Sequence, residues 1–543
     1  MPLTVLTDDD VRDVLDSLTR EDVEHMQKQL ADALHNYSTA IEPEDSGCCS
    51  SNQPSRIAMK GKEGSTTLFM PATSDSGFGV KIVSISESKK DSGKPGSYFP
   101  DSSAASTYTT SSTSSNPAPL SQGHRSSTVS TTSSSSSSTN QITVPLWDPT
   151  TPMPEDSSST TSSSEPSTTP RGSITLLTPS GQPRAIVNAT TLTAFRTALA
   201  SSLLFRQRAS VHTVTVFGAG HQAFWHVYLS LLLRGPEIHH LHLINRSFER
   251  AQKLYMNLAS CVNPAITDAF LGGKLRPSLL TPEYGEFTRL LKDHVRAADV
   301  IYCCTPSTTP LFPATHITNH GGRQKARYIA AIGSYKPHMI ELAPEILRQA
   351  VRGPGNDKEH HEQKHHGMHL HQRHATEGGA VVVDSIEGAM REAGEVIKAG
   401  LGGQGLVEVG ELVMLKRSHW AEKAAREERE RAKREKEGKE KHHGGGHGLG
   451  HLFHHHHRSK SGSTVSSGNS EHDSKEEKER KQDKRDREKR REQEQHDGGL
   501  REWLERGNVV YKSVGIGLMD IVVGMEVVRL AEERGLGTHV PDF

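Results

Sequence analysis

The chain has 543 residues, of which only 33% are apolar and 5% aromatic, less than a fully packed globule of this length would use. Its formal net charge is −1, so no overall field favours binding to nucleic acid or to a membrane surface. No apolar run approaches the ~20 residues that cross a bilayer, and the five cysteines have no disulfide-framework spacing. We therefore expect a cytoplasmic protein that binds neither nucleic acid nor membranes.

Residues 1–100 begin with "LTDDDVRDVLDSL", in which Thr7 is the expected N-cap of a helix and Asp10 follows three residues later. The segments "STTLFMPA" and "FGVKIVSIS" then predict strands. Residues 101–170 are rich in Ser and Thr and nearly lack large apolar side chains, so they predict a disordered insertion. Residues 171–210 predict two return strands around a turn at Ser180-Gly181, followed by a linking helix.

From 211 to 416, short apolar strands alternate with helices, which is the pattern of a doubly wound parallel sheet. A histidine-rich disordered insertion is predicted inside this domain at 355–377, and a charged, histidine-rich one follows it at 417–499. Residues 500–543 form a C-terminal segment with a terminal helix. The fold class is α/β, with this sheet and an N-terminal α+β domain formed first by residues 1–100.

The segment "VTVFGAGHQAFWHV" places a glycine-rich turn between a β-branched strand and a helix. Gly218 permits a tight turn, Gly220 lets the backbone approach a pyrophosphate, and Ala223 replaces the third glycine of a Rossmann fingerprint. The free N–H groups at the helix start favour phosphate. The sequence thus predicts a dinucleotide site, with an ordinary ligand-free turn as the alternative. The residues predicted to contact the cofactor here are Gly218, Ala219, Gly220, His221 and Gln222.

The end of the next strand indicates which dinucleotide binds. NAD-binding proteins usually carry an acidic residue there, but this chain has Asn245, Arg246 and Ser247, followed by Arg250. Guanidinium and hydroxyl groups suit a 2′-phosphate, which a carboxylate would repel. These residues predict NADP(H) as the preferred cofactor, with NAD(H) possible.

Ten segments in chain order together resemble the ornithine cyclodeaminase/mu-crystallin family. They cover nearly all of the patterned sequence and leave the three low-complexity segments between them. They are "PSRIAM", "TLFMPA", "GVKIVS", "LTAFRTALASSL", "VFGAGHQA", "LINRSFERA", "ADVIYCCTPSTTPLF", "AIGSYKPHMIEL", "VVVDSIEGAMREAGEV" and "VVYKSVGIGLMD".

The resemblance implies an N-terminal domain for substrate and dimer contacts, and hence a homodimer. It also implies that Arg56 and Lys81 hold the substrate carboxylate and the reacting centre, and that Arg196 lies between the substrate carboxylate and the cofactor phosphates. Paired hydrogen bonds from a guanidinium would fix the substrate against the nicotinamide. Four further residues match cofactor or nicotinamide-side positions of the family: Thr305, Lys512, Ser513 and Gly515.

One position departs from the family. Cyclodeaminases carry an aspartate two residues after the glycine that matches Gly333, whereas this chain has Tyr335. A phenol, with an ordinary pKa of ~10, cannot act as the same base at neutral pH. This favours an NAD(P)H-dependent oxidoreductase that reduces a small imine or ketimine carboxylate in amino-acid metabolism. The alternatives are an ornithine cyclodeaminase that forms proline and ammonia, and a catalytically silent NADP(H)-binding protein.

The histidine tracts and charge runs add no predicted site. The tracts offer imidazoles, but no fixed spacing indicates a closed metal site, so linkers are favoured over adventitious Zn²⁺ or Ni²⁺ binding. The runs at 421–440 and 474–495 mix both charge signs, which suits solvated helix better than a nucleic-acid surface.

Overall fold

The structure, a computed structural model, describes residues 2–39, 53–54, 56–61, 65–86, 171–351, 379–413, 499–541 and 543. They belong to one compact unit of the chain, Met1–Tyr98 with Pro166–Phe543. A second unit, Phe99–Glu165, lies outside the described residues, as do the insertions predicted at 101–170 and 355–377. The insertion predicted at 417–499 also lies outside them, except for Gly499, which begins a helical stretch.

The described helices with printed bounds are numbered in chain order. They are α1 Asp8–Asp16, α2 Arg20–Thr39, α3 Ala189–Phe205, α4 His221–Arg234, α5 Phe248–Ala259, α6 Pro264–Leu271, α7 Phe287–Ala297, α8 Thr315–Thr318, α9 Pro344–Val351, α10 Ile386–Glu392, α11 Gly394–Ala399 and α12 Gly517–Glu533. Helical stretches at 409–413 and 499–506 border undescribed segments.

The described strands are numbered in the same way. They are β1 Leu3–Leu6, β2 Ile57–Lys60, β3 Ser65–Ser74, β4 Gly77–Ser86, β5 Arg171–Leu177, β6 Pro183–Asn188, β7 Thr213–Phe217, β8 His240–Ile244, β9 Arg276–Leu280, β10 Val300–Cys303, β11 Tyr328–Ala331, β12 Val381–Val383, β13 Leu406–Glu408, β14 Val509–Lys512 and β15 Thr538–Val540.

The first sheet contains seven of the described strands, in the order β15-β1-β6-β5-β4-β3-β2. Strands β2 to β6 pair antiparallel, while β1 pairs parallel to β6 and antiparallel to β15. Helix α1 has the predicted capping box, because Thr7 accepts from the Asp10 amide and the Asp10 carboxylate accepts from the Thr7 amide. Helices α3 and α12 are buried on most of their surface, which explains why their small and apolar residues show little amphipathic pattern.

The second sheet has eight described strands, in the order β13-β12-β14-β11-β10-β7-β8-β9, and every pairing in it is parallel. All five residues of β7 are buried, as expected for a strand covered on both faces. The order reverses around β7, since the next strand, β8, lies on one side of it and β10 on the other. The predicted α/β fold class, a Rossmann-type doubly wound parallel sheet with an N-terminal α+β part, is confirmed.

The C-terminal segment takes part in both sheets. Strand β14 lies between β11 and β12 of the parallel sheet, whereas β15 pairs with β1 at the edge of the first sheet. Helix α12 begins against β3, because a side chain at Gly517 would lie 3.1 Å from the Met70 carbonyl oxygen. The loop between β14 and α12 therefore connects the carboxyl end of the parallel sheet to the first sheet.

Candidate active site

The glycine-rich turn joins β7 to α4, as the sequence predicts. Gly218 has a φ of +107°, and a Cβ there would lie 2.7 Å from the Cys304 carbonyl oxygen, so the loops after β7 and β10 approach closely. Gly220 is the N-cap of α4, and a Cβ built on it would meet no described atom within 4 Å. The first turn of a helix leaves backbone N–H groups without helical partners. This open space beside free donors fits a pyrophosphate.

The other residues of this turn differ in exposure. Ala219 and Gln222 are half-buried, whereas Gly220 and His221 are exposed. Burial lowers the pKa of His221, and Asp8 opposes that shift. Ala223 is fully buried, which agrees with its predicted place where helix packs against strand.

At the end of β8, the structure separates the four residues predicted to bind a 2′-phosphate. Asn245 is buried and its amide donates to the Ser247 carbonyl oxygen at 2.8 Å. The Ser247 hydroxyl accepts from the Arg250 amide at 3.2 Å and thereby caps α5. Arg246 and Arg250 have exposed side chains. Two of the four residues thus shape the turn, and two present guanidinium groups at the surface.

Lys81 and Arg196 come together on a residue that the sequence did not single out. Lys81 projects from β4 and its Nζ donates to Asp520 Oδ1 at 2.8 Å, while Arg196 Nε of α3 donates to the same oxygen at 3.1 Å. Lys81 is 2% exposed, Arg196 5% and Asp520 0%. Burial lowers the pKa of Lys81 from 10.5 to about 8, because the attraction of Asp520 offsets only part of the desolvation.

The rest of the Arg196 guanidinium meets no oxygen acceptor within the described part of the chain. Its Nη1 lies 3.4 Å from the Met519 sulfur, which is a weak acceptor. A Cβ on Gly515, where φ is +79°, would lie 2.8 Å from Nη2. The two terminal nitrogens therefore lie against the loop after β14, with the paired donors that suit a carboxylate.

The loop after β14 is fixed by a carboxylate at the end of β12. Asp384 accepts hydrogen bonds from the Ser513 hydroxyl at 2.9 Å, the Val514 amide at 3.0 Å and the Gly515 amide at 2.6 Å. Ser513 and Gly515, both predicted to contact the cofactor, thus have their conformation set by this buried acid. The loop places Gly515 beside Arg196.

Arg56 lies just before β2 and forms an ion pair with Glu392 at the end of α10, with Nη2 2.5 Å from Oε2. Burial lowers the pKa of Arg56, although Glu392 and Asp384 oppose that shift. Arg56 and Lys81 lie close enough to affect each other electrostatically. All three cations predicted to hold substrate therefore lie in one region of the molecule.

Thr305 has a role in the structure that the sequence did not indicate. Its amide and hydroxyl donate to Glu341 Oε1 at 2.7 and 3.1 Å, while Glu341 Oε2 accepts from the amides of Gly333 and Ser334 at 2.7 and 3.2 Å. A side chain on Gly333 would collide with the Thr305 backbone. The Glu341 carboxylate thus joins the loops after β10 and β11, and burial raises its pKa to about 8.

Lys512 is buried, with its side chain against the loop after β11. Its Nζ donates to the carbonyl oxygens of Ala331, at 3.2 Å, and of Ser334, and to the Ser334 hydroxyl at 2.7 Å. Glu395 Oε2 is 3.9 Å from the same nitrogen. Tyr335, two residues after Gly333, is half-buried, and the Lys336 ammonium lies 5.7 Å from its ring centre.

Asp520, Asp384 and Glu341 are the site residues that sequence reasoning missed. Asp520 did carry a signal, because it is a single acidic residue within the apolar run "GLMDIVVG" and such a residue needs a partner when buried. Within the described ranges, no group of three or more His, Cys, Asp or Glu residues is placed to hold a metal ion. The histidine tracts, and Cys48 and Cys49, lie outside those ranges. No helix among the described residues has the length and apolarity to span a bilayer.

Comparison with known proteins gives two partial sequence matches. An uncharacterized protein of Saccharomyces cerevisiae is 27% identical over 243 residues, which is 42% of this chain and 59% of that protein. An uncharacterized cyclodeaminase of Dictyostelium discoideum is 30% identical over 167 residues, or 30% of this chain and 44% of the relative. The chain thus matches only about half of the length of these relatives. No protein-family model matches the chain.

Two solved structures share the fold. An archaeal alanine dehydrogenase dimer with bound NAD has a TM-score of 0.50 and 14% identity, and the match covers 100% of both chains. The Δ1-pyrroline-2-carboxylate reductase of Thermococcus litoralis, in complex with NADH and L-proline, has the same TM-score and identity, with 99% of this chain and 100% of that chain covered. At 14% identity these structures show a shared fold, and together with the ten segments quoted above and the partial match to the cyclodeaminase relative they agree with the resemblance to the ornithine cyclodeaminase/mu-crystallin family.

Proposed function

We propose that this protein is an NAD(P)H-dependent oxidoreductase that reduces a small imine or ketimine carboxylate. One observation carries the proposal: the buried cations Lys81 and Arg196 share the single oxygen Asp520 Oδ1, at 2.8 and 3.1 Å, while the outer nitrogens of Arg196 face sulfur and backbone. Buried cations need anionic partners. A substrate carboxylate suits the unused donors of this pair.

Within this site, Arg196 is proposed to bind the substrate and Lys81 to supply a proton. Arg196 holds the carboxylate by paired hydrogen bonds and fixes the plane of the substrate. Lys81, with a pKa of about 8, carries a proton at neutral pH and can donate it to the nitrogen of a neutral imine, which gives the iminium that accepts the hydride. When bound, the reduced nicotinamide supplies a hydride. Arg56 adds a third cation near Lys81, with its charge balanced by Glu392.

The turn from Gly218 to Gln222 is proposed to hold the cofactor's pyrophosphate. Exposed Arg246 and Arg250 support NADP(H) as the preferred form, and NAD(H) stays possible because the two structural neighbours contain NAD or NADH. The predicted homodimer is a proposal supported by a neighbour that is described as a dimer. Cytoplasmic location stays a prediction.

Tyr335 favours reduction over cyclodeamination. Cyclodeamination would need a base to manage ammonia loss, and the half-buried phenol beside Lys336 is poorly suited to that role. We expect the purified chain to release no ammonia from ornithine with catalytic NAD. A silent NADP(H)-binding protein would bind cofactor and consume none with any imine.

The test measures NADPH consumption, by its absorbance, with cyclic ketimine carboxylates of the pyrroline and piperideine type. Lys81→Met keeps the length of the side chain and removes its charge, and we expect kcat/KM to fall roughly 10²–10³-fold. Lys325→Met is the matched control, because Lys325 forms a 3.0 Å ion pair with Asp299 next to the amino end of β11. The reduction proposal is wrong if wild-type protein consumes no NADPH across the panel, or if it converts ornithine to proline at an enzymatic rate.

A further inference from the structure

We propose that Asp520 is a binding group for the substrate nitrogen, and that its Oδ2 accepts the N–H of an α-iminium carboxylate. This inference rests on the proposed function and names the form of substrate that the site selects: a carboxylate whose neighbouring nitrogen carries a hydrogen. The family resemblance placed substrate contacts on Arg56, Lys81 and Arg196 and assigned none to Asp520.

The two oxygens of Asp520 have unequal surroundings. Oδ1 accepts from both Lys81 Nζ, at 2.8 Å, and Arg196 Nε, at 3.1 Å. Oδ2 is buried and has no hydrogen-bond partner within the described residues, although the carboxylate is 0% exposed. Most buried polar atoms in proteins are paired, so an orphaned carboxylate oxygen at a ligand site calls for a donor. Both cations reach Asp520 through the other oxygen.

The position of Asp520 is fixed by its backbone. It lies in the first turn of α12, and the start of that helix is held against β3, where a side chain at Gly517 would lie 3.1 Å from both Ala72 Cβ and the Met70 carbonyl oxygen. The neighbouring Met519 is also buried and meets Arg196 through its sulfur. The carboxylate therefore cannot move toward solvent to find a donor there.

The chemistry of an α-imino acid matches this arrangement. Its nitrogen is bonded to the carbon that bears the carboxylate, so a carboxylate held by Arg196 brings the nitrogen next to the acid that orients Arg196. In the reduction, a hydride from the reduced nicotinamide bonds to the imine carbon, and the C=N π electrons become a lone pair on nitrogen, which keeps its proton. A carboxylate beside the N–H stabilises the iminium before transfer and the ammonium that forms when the product amine takes up a proton.

The experiment compares two ligands that differ at one ring atom, with the full chain saturated with NADP⁺. L-Proline carries N–H donors, whereas (S)-tetrahydrofuran-2-carboxylate has the same ring size and carboxylate with an oxygen in place of nitrogen. Isothermal titration should show wild-type protein binding proline at least ten-fold more tightly. Asp520→Asn should reduce this ratio to within about two-fold. A variant that is only structurally damaged would weaken both ligands together.

Glu532→Gln is the matched control. Glu532 lies on the same helix and forms an ion pair with Arg184 at 2.5 Å, on the first sheet and apart from Asp520. We expect it to keep the wild-type ligand ratio. The inference is overturned if Asp520→Asn keeps the ten-fold preference for proline, or if wild-type protein, which needs no variant to fold, binds both ligands equally.

The outcomes also separate this inference from the proposed reaction. Normal NADPH consumption with ketimines, together with equal binding of proline and its oxygen analogue, would support the reductase proposal and refute the proposed role of Asp520. A clear preference that Asp520→Asn abolishes, together with no NADPH consumption, would keep the nitrogen-binding role and refute the reductase.

Discussion

Two glycines of the β7–α4 turn offer a direct test of the cofactor site, because the structure predicts opposite consequences for the same substitution. Gly220 has φ −102° and ψ −172°, an extended conformation that alanine adopts readily, and a Cβ there meets no described atom within 4 Å. Gly218 has φ +107°, and a Cβ there would lie 2.7 Å from the Cys304 carbonyl oxygen. Gly220→Ala should therefore affect ligand binding, and Gly218→Ala should affect folding.

The magnitudes follow from these surroundings. At Gly220, lower entropy of the unfolded chain stabilises by about 0.4–1 kcal/mol, while alanine is a poorer N-cap than glycine by a similar amount. The net change in the free energy of unfolding should stay below about 1 kcal/mol. At Gly218, backbone strain alone costs about 1–3 kcal/mol, and the contact with Cys304 adds to it. A methyl group in the pyrophosphate space should cost about 1–3 kcal/mol of binding, or roughly ten- to hundred-fold in NADPH affinity.

The assay has two parts: urea denaturation without ligand, and titration with NADPH followed by its fluorescence. Gly220→Ala should unfold like the wild type and bind NADPH weakly, whereas Gly218→Ala should unfold at lower urea. Wild-type NADPH affinity in Gly220→Ala would refute the assignment of the pyrophosphate to this turn. A loss of stability in Gly220→Ala as large as in Gly218→Ala would show that the space beside Gly220 is not open.

Three further predictions concern specificity, pH and the interrupted hairpin. Arg246→Asp should lower the ratio of NADPH to NADH affinity at least ten-fold, since a charge-assisted contact contributes roughly 1.5–3 kcal/mol; an unchanged ratio in paired titrations would place the 2′-phosphate elsewhere. Burial lowers the pKa of Lys81 from 10.5 to about 8, so its ammonium loses a proton as the pH rises past that value. We therefore expect kcat/KM for ketimine reduction to fall above pH about 8. A flat profile up to pH 10 would contradict the role of the protonated Lys81 side chain. Strands β4 and β5 pair antiparallel with Ser84 opposite Arg171, so replacing residues 87–170 by a short Gly/Ser linker should leave a soluble protein that binds NADPH, and aggregation or lost binding would contradict this.

Much of the fold could be predicted because it depends on local patterns. The β-branched run before Gly218, the capping box at Thr7 and the hairpin turn at Ser180-Gly181 each show in a few residues, and the structure confirms the elements that they predict. The insertion of β14 between β11 and β12 could not be predicted, since strand order depends on pairing between residues far apart in sequence. The hydrophobic periodicity of a segment identifies it as a strand, but it does not indicate which strands pair with it.

Some residues of the candidate site could likewise be predicted from the sequence, and others could not. Family resemblance indicated Lys81 and Arg196, because their surrounding segments match, and the structure brings the two within hydrogen-bond distance of one carboxylate. Asp520 was missed because a single acidic residue in an apolar helix does not by itself indicate a binding site. Only the folded structure shows which cations it contacts. Thr305 was predicted to contact the cofactor, and whether it does stays a prediction, but its hydrogen bonds to Glu341 could not be read from the sequence.

The place of β14 has a consequence for how the protein is made. During translation, β11 and β12 leave the ribosome well before Val509–Lys512, the strand that separates and pairs with both of them. Until then each presents an unpaired parallel edge, and such edges are open to pairing with other chains. The parallel sheet cannot be completed until synthesis has passed 414–508. A chain that stops anywhere in that interval lacks an interior strand, so premature termination should yield an aggregating product rather than a shortened folded protein.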